Sequence, residues 1–233
     1  MREQKSFELF KRIHASDGMR FINQQHERSF SYNIFQGNMN ELLAALGMLD
    51  NFSVGMKLMS ENYREDGIQF HREANRLFHN FLASAMTLIN HTRNFMKRRY
   101  KDMPVFQAYT QKVQSDLAND PLCRFIQELR NYLLHNELPH SSMSLKIERD
   151  KKAESTISID IEKLLEWQEW SKVGRSYLEN CSKVIKMSVF VSEYCKKIIE
   201  FHKWLDEALI SAHKKQLDEL EALQKLYQKL EGA

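Results

Sequence analysis

Three prolines, at positions 104, 121 and 139, and seven glycines are all that interrupt 233 residues. Sandwiches and barrels turn back about every 8–12 residues through segments rich in Gly and Pro. So few interruptions point instead to long helices. The composition is that of a folded chain, with 42% hydrophobic and 28% charged residues. That is too apolar for a disordered segment and enough to bury a substantial core, in one large domain or two small ones. The net charge of +3 is nearly balanced, so only a local basic patch would bear on nucleic acid.

Hydrophobic spacing divides the chain. Phe7, Phe10, Ile13, Phe21 and Ile22 give an imperfect helical face in the first segment, and Leu42, Leu43, Leu46 and Leu49 mark the next helix. After the polar "NYREDG" at 62–67, residues 68–101 form a long helix with Leu77, Phe78, Phe81, Leu82, Ala85 and Leu88 on its apolar face. It ends in "KRRY", where cations suit the negative end of the helix dipole. Pro104 opens another helix. Asn119 or Asp120 can cap the following one, Pro121 fits its first turn and Pro139 closes it.

One stretch changes period. "SMSLKIER" and "TISIDIE" alternate apolar with polar residues around the polar "DKKAES", predicting a β-hairpin at about 142–162. Asp160 can cap the segment that follows, and Trp167 and Trp170 are expected to pack the base of the hairpin. "VIKMSVFVSEYCKKIIEF" reads as a central core helix, and the leucines from Leu205 to Leu230 read as a long helix or coiled-coil-like arm flanked by solvent. The fold expected is mostly α, a helical bundle with one small inserted hairpin. Residues 1–65 would be an N-terminal helical segment packing on a domain of 66–233.

Within "ELRNYLLHN", at 128–136, Arg130, Asn131 and His135 share a helix with a clear apolar stripe. Arg-x4-His alone is worthless in a chain with 14 Arg and 9 His, being expected about 0.5 times by accident. Asn directly after Arg lowers that roughly twentyfold. Leu122, Phe125, Ile126, Leu129, Tyr132 and Leu133 cluster on one side at 100° per residue, while Asn131 and His135 lie together away from them. Leu134 falls where the core does not obviously cover it, as at a subunit interface.

Arg130-Asn131-x3-His135, late in a helix of a mostly helical chain, resembles the signature of the HEPN superfamily, helical domains of which many are metal-independent endoribonucleases. The resemblance covers residues 68–137 and extends to 171–203. It implies catalytic roles for Arg130 and His135 and a supporting one for Asn131. It also implies a homodimer with a composite cleft, RNA as substrate, no cofactor or metal, and a toxin or defence setting with an antitoxin or other protein partner. The chemistry suits the residues. RNA brings its own nucleophile in the 2′-hydroxyl, an imidazole moves protons and a guanidinium holds phosphate. The implied products are a 2′,3′-cyclic phosphate and a 5′-hydroxyl. A non-catalytic scaffold and a nucleotide-binding relative without cleavage activity stay open as alternatives.

"RNFMKRRYK" at 93–101 adds candidate substrate-binding residues: Arg93, Arg98 and Arg99 for an RNA backbone and Tyr100 for stacking, against the plainer reading of a solvated helix end. His91 and Arg93 would line the cleft if this helix flanks the motif helix. His71, His79 and Glu73 lack the spacing of a compact metal site. Cys123, Cys181 and Cys195 form no C-x-x-C pair, which favours a reducing cytoplasm. The first residues are charged from position 2, unlike a signal peptide, and no run approaches 18 apolar residues.

Overall fold

The computed structural model describes residues 2–147 and 154–232. Helices α1 (Arg2–Ala15), α2 (Asp17–Gly47), α3 (Phe52–Met59), α4 (Arg64–Tyr100), α5 (Pro104–Val113) and α6 (Pro121–His135) come first. Strands β1 (Ser141–Lys146) and β2 (Glu154–Asp160), helices α7 (Ile161–Leu165) and α8 (Lys172–Glu179), strand β3 (Val184–Lys186) and helices α9 (Met187–Ala212) and α10 (Lys214–Glu231) follow. The fold is mostly α, as the scarcity of turn residues requires. No single helix among the described residues is long and apolar enough to cross a membrane.

Local chemistry sets the helix starts. The Ser16 hydroxyl accepts from Met19 N, Asp120 Oδ1 from Cys123 N at 2.9 Å and Asp160 Oδ1 from Lys163 N at 3.1 Å. Each satisfies a donor that the first helical turn leaves orphaned. Between α5 and α6 the chain relaxes into a π-helical turn, Gln114–Ala118.

The main core joins α2, α4, α6, α9 and β2. Phe35 and Leu42, Phe81 and Leu82, Phe125 and Leu129, Phe190 and Tyr194, and Ile157 and Ile159 all meet there, fully shielded. Phe35, Phe81 and Tyr194 contact one another through their rings, at centroid separations of 5.7–6.5 Å. A smaller core at the other end gathers Phe21, Met96, Tyr100, Tyr109, Phe201 and Leu205. Residues before and after 65 share both cores.

The sheet is antiparallel with β2 in the middle, and Met143 faces Ile157 while Ile159 faces Ile185. The hairpin stands where the alternation placed it, although most of the joining "DKKAES" lies outside the described residues. The third strand is a correction. The sequence places Val184–Lys186 at the start of a core helix, but a three-residue segment carries no periodicity and β2 offers it a free edge.

Two further expectations change. The C-terminal leucines do not run along one arm: Leu205 and Leu209 are buried in α9, the chain breaks at His213, and α10, exposed on its outer side, folds back along α1 and α2. Gly18 permits the approach, because a Cβ there would sit 2.8 Å from Leu220 Cβ. Trp170 packs on α6 rather than under the hairpin. Its ring stacks on Phe125 and Tyr132, and its indole N–H donates to Leu164 O at 2.7 Å.

Candidate functional site

Helix α6 carries the motif and is held from one side. Leu122, Phe125, Ile126, Leu129 and Tyr132 are buried, as their spacing indicates, and Leu133 is half-buried. Glu128 is buried as well. Its Oε1 accepts from Arg124 Nε at 2.6 Å, and its Oε2 accepts from the backbone N–H of Ser171 at 3.1 Å. A buried carboxylate thereby ties α6 to the start of α8.

Asn131 and His135 lie away from this buried stripe, and Arg130 sits on its flank. Asn131 and His135 are exposed, Arg130 is half-buried, and none of the three makes a hydrogen bond or ion pair among the described residues. Five residues along a helix correspond to roughly 7.5 Å of rise and about 140° of rotation, so Arg130 and His135 of one chain point in different directions. Leu134 and Leu138, beside His135, are 52% and 59% exposed.

Three residues beyond His135, the chain enters the wall of a basic groove. Leu138, Pro139, His140 and Ser141 line it from one side; His71, Arg72, Asn75, Arg76 and His79 of α4 line it from the other, around about 560 Å³. The Ser141 hydroxyl donates to Asn75 Oδ1 at 2.9 Å. With its only proton committed, it must accept from His71 Nε2, 2.9 Å away. That fixes the His71 tautomer, and burial pushes its pKa down. Arg76 pairs with Glu73 at 2.5 Å, whereas Arg72 makes no hydrogen bond or ion pair among the described residues. The groove was not read from the sequence. Its two walls are some 70 residues apart in the chain, and only the paired histidines on α4 hinted at it.

The basic segment 93–101 is split by its own helix. Arg93 is exposed and lines a cavity against α6, together with Arg124 and Gln127. Arg98 and Arg99 line a different groove with Arg28 and His91, where Arg99 reaches Glu27 at 3.3 Å and His91 meets the Ser31 hydroxyl. Tyr100 is a correction. It is 2% exposed, in edge-on contact with His213 and 3.2 Å from its Nε2 through the phenol oxygen, so its ring is not presented to a base. Its spacing of four from buried Met96 was the available signal.

Among the described residues, no three His, Cys, Asp or Glu side chains converge as a metal-binding group. Burial pushes the thiols of Cys123 and Cys195 up, the latter to about 12, so neither is a ready nucleophile. No protein-family model matches the chain, and no curated protein or solved structure does.

Proposed function

We propose that the chain is an HEPN-like, metal-independent endoribonuclease that acts as a homodimer in the cytoplasm. The observation that carries this reading is the state of the motif. Arg130 and His135 stand unpaired at the accessible end of a helix whose other face is locked into the core. A structural arginine would ordinarily be committed to an acid, and here the committed arginine is Arg124.

The 140° between the two side chains favours a composite site, in which a second copy brings its own pair across the cleft. Exposed Leu134 and Leu138 supply apolar surface for that contact. One histidine takes the proton of the 2′-hydroxyl as its oxygen attacks phosphorus. Another gives a proton to the departing 5′-oxygen. Arg130 spans two phosphate oxygens and meets the added charge. Asn131 supports the phosphate or orients His135. The groove of Arg72, His79 and His140 would carry the RNA backbone away from the cleft.

The test is incubation of mixed cellular RNA, in EDTA, with the wild type and with His135→Ala, followed by end-group analysis. The wild type should leave 2′,3′-cyclic phosphate and 5′-hydroxyl ends, and the variant should be slower by about 10²-fold or more. Intact RNA after exposure to folded, dimeric wild type moves the assignment to a non-catalytic scaffold.

A further inference from the structure

Between α4, α5, α6 and α9 lies a cavity of about 210 Å³. Its wall is largely apolar, with Leu88, Ile89, Val113 and Ile198 prominent. Two hydroxyls in that wall, Thr92 Oγ1 and Tyr194 OH, have no hydrogen-bond partner. Both residues are buried, at 4% and 1% exposure. A buried hydroxyl without a partner is costly, and two on one cavity are hard to explain as packing. His202 adds a third polar group. The Arg28 guanidinium lies 3.4 Å from its Nδ1 and can only donate, so the ring proton sits on Nε2.

The mouth carries two guanidinium groups, Arg93 with no acidic partner among the described residues and Arg124 already paired with Glu128. Arg93 from α4 and Arg124 from α6 both line it, and both are exposed. Arg93 spends one Nη2 contact on Asn90 and Arg124 spends its Nε on Glu128, which leaves guanidinium N–H groups of each available. Thr92 directly precedes Arg93, so the polar wall begins next to the charged rim.

We propose that this cavity binds a small amphiphilic carboxylate, its acid group between Arg93 and Arg124, its apolar chain inside and a hydroxyl or carbonyl oxygen near the head group meeting Thr92 and Tyr194. The size limits the guest to about seven or eight heavy atoms inside, at roughly 30 Å³ each. That is below the ~300–1,000 Å³ of sites for drug-sized ligands, so an intact nucleotide is too large. The binding does not depend on the ribonuclease reading and is measured on the protein alone.

The experiment titrates three probes, 3-hydroxyoctanoate, octanoate and octan-1-ol, into the full chain by calorimetry and by methyl NMR of Ile89, Val113 and Ile198. The hydroxy acid should bind tightest and the alcohol weakest. Arg93→Gln should weaken both acids by roughly tenfold, the effect of one charge-assisted hydrogen bond, and leave the alcohol unchanged. Tyr194→Phe, which keeps the ring, should abolish the advantage of the hydroxy acid over octanoate. Ala85→Leu, which adds bulk at a lining position, should block all three. The proposal is overturned if the alcohol binds as well as the acids, if Arg93→Gln changes nothing, or if no probe moves those methyl signals at millimolar concentration.

Discussion

Glu128 accepts the backbone N–H of Ser171 at 3.1 Å while its other oxygen holds Arg124, so one buried carboxylate joins the motif helix to the helix that packs beneath it. Glu128→Ala should cost about 2–3 kcal/mol, because it leaves a part-buried N–H without its acceptor and removes the partner of Arg124. Glu128→Gln keeps an acceptor of the same shape and should cost roughly half as much. Urea unfolding followed by tryptophan fluorescence measures both, since Trp170 is adjacent and stacked on α6. Equal stability of wild type and alanine variant would show that the pair does not position α6.

A second prediction concerns Gly67, in the first turn of α4. A Cβ there would lie 2.1 Å from the backbone oxygen of Leu58 in α3. Alanine normally stabilises a helix relative to glycine by about 0.5–1 kcal/mol. Here the sign should reverse, with Gly67→Ala costing about 1–3 kcal/mol as α3 is pushed from its seat. Hydrogen exchange should locate the damage in residues 52–59, with α9 left protected.

The fold was legible where a helix serves one core. Leu77 to Leu88 repeat cleanly, and so do Leu122 to Tyr132, because each stripe meets a single buried surface. Helix α2 was blurred because it serves two: Phe21 joins the small core and Phe35 the main one, while Phe30 and Ile34 between them are exposed. Strand β3 was too short to show a period. The motif was visible as a local pattern, since Arg130, Asn131 and His135 lie within six consecutive residues of one helix, although the helix turns Arg130 away from His135. The basic groove and the α4–α6 cavity were not, because only tertiary packing brings His71 to Ser141 and sets Arg93 and Arg124 on one cavity.

Buried His202 makes stability depend on pH. Desolvation, and then the neighbouring Arg28, push its pKa down to about 3, while Asp206 pairs with the same arginine and Tyr32 covers the ring. The folded protein keeps the ring neutral where the unfolded chain, titrating near 6.5, takes up a proton. The stabilisation is therefore complete above pH ~6.5 and lost as pH falls from there towards 3, at up to about 1.4 kcal/mol per pH unit. Thermal unfolding between pH 7.5 and 5 should show this slope, above the range where carboxylates titrate. His202→Gln should flatten it without abolishing it, since His71 and His213 are also lowered by burial. An unchanged slope in the variant would remove His202 from the account.

The last prediction separates the dimer from the chemistry. Leu134 is 52% exposed in the last turn of α6, so Leu134→Asp should cost a single chain only about 1 kcal/mol, from helix propensity and from an anion at the negative helix end. If this face joins two copies, each aspartate presses an unpaired charge into an apolar contact, which should weaken association by roughly a hundredfold. Sedimentation would then show monomers at concentrations where the wild type is dimeric. RNA cleavage should fall with dimer population and recover as protein concentration rises, because Arg130 and His135 remain intact in every chain. His135→Ala should behave oppositely, dimeric at all those concentrations and inactive at each. A Leu134→Asp variant that is monomeric yet fully active would show that each chain cleaves alone and that the composite site is wrong.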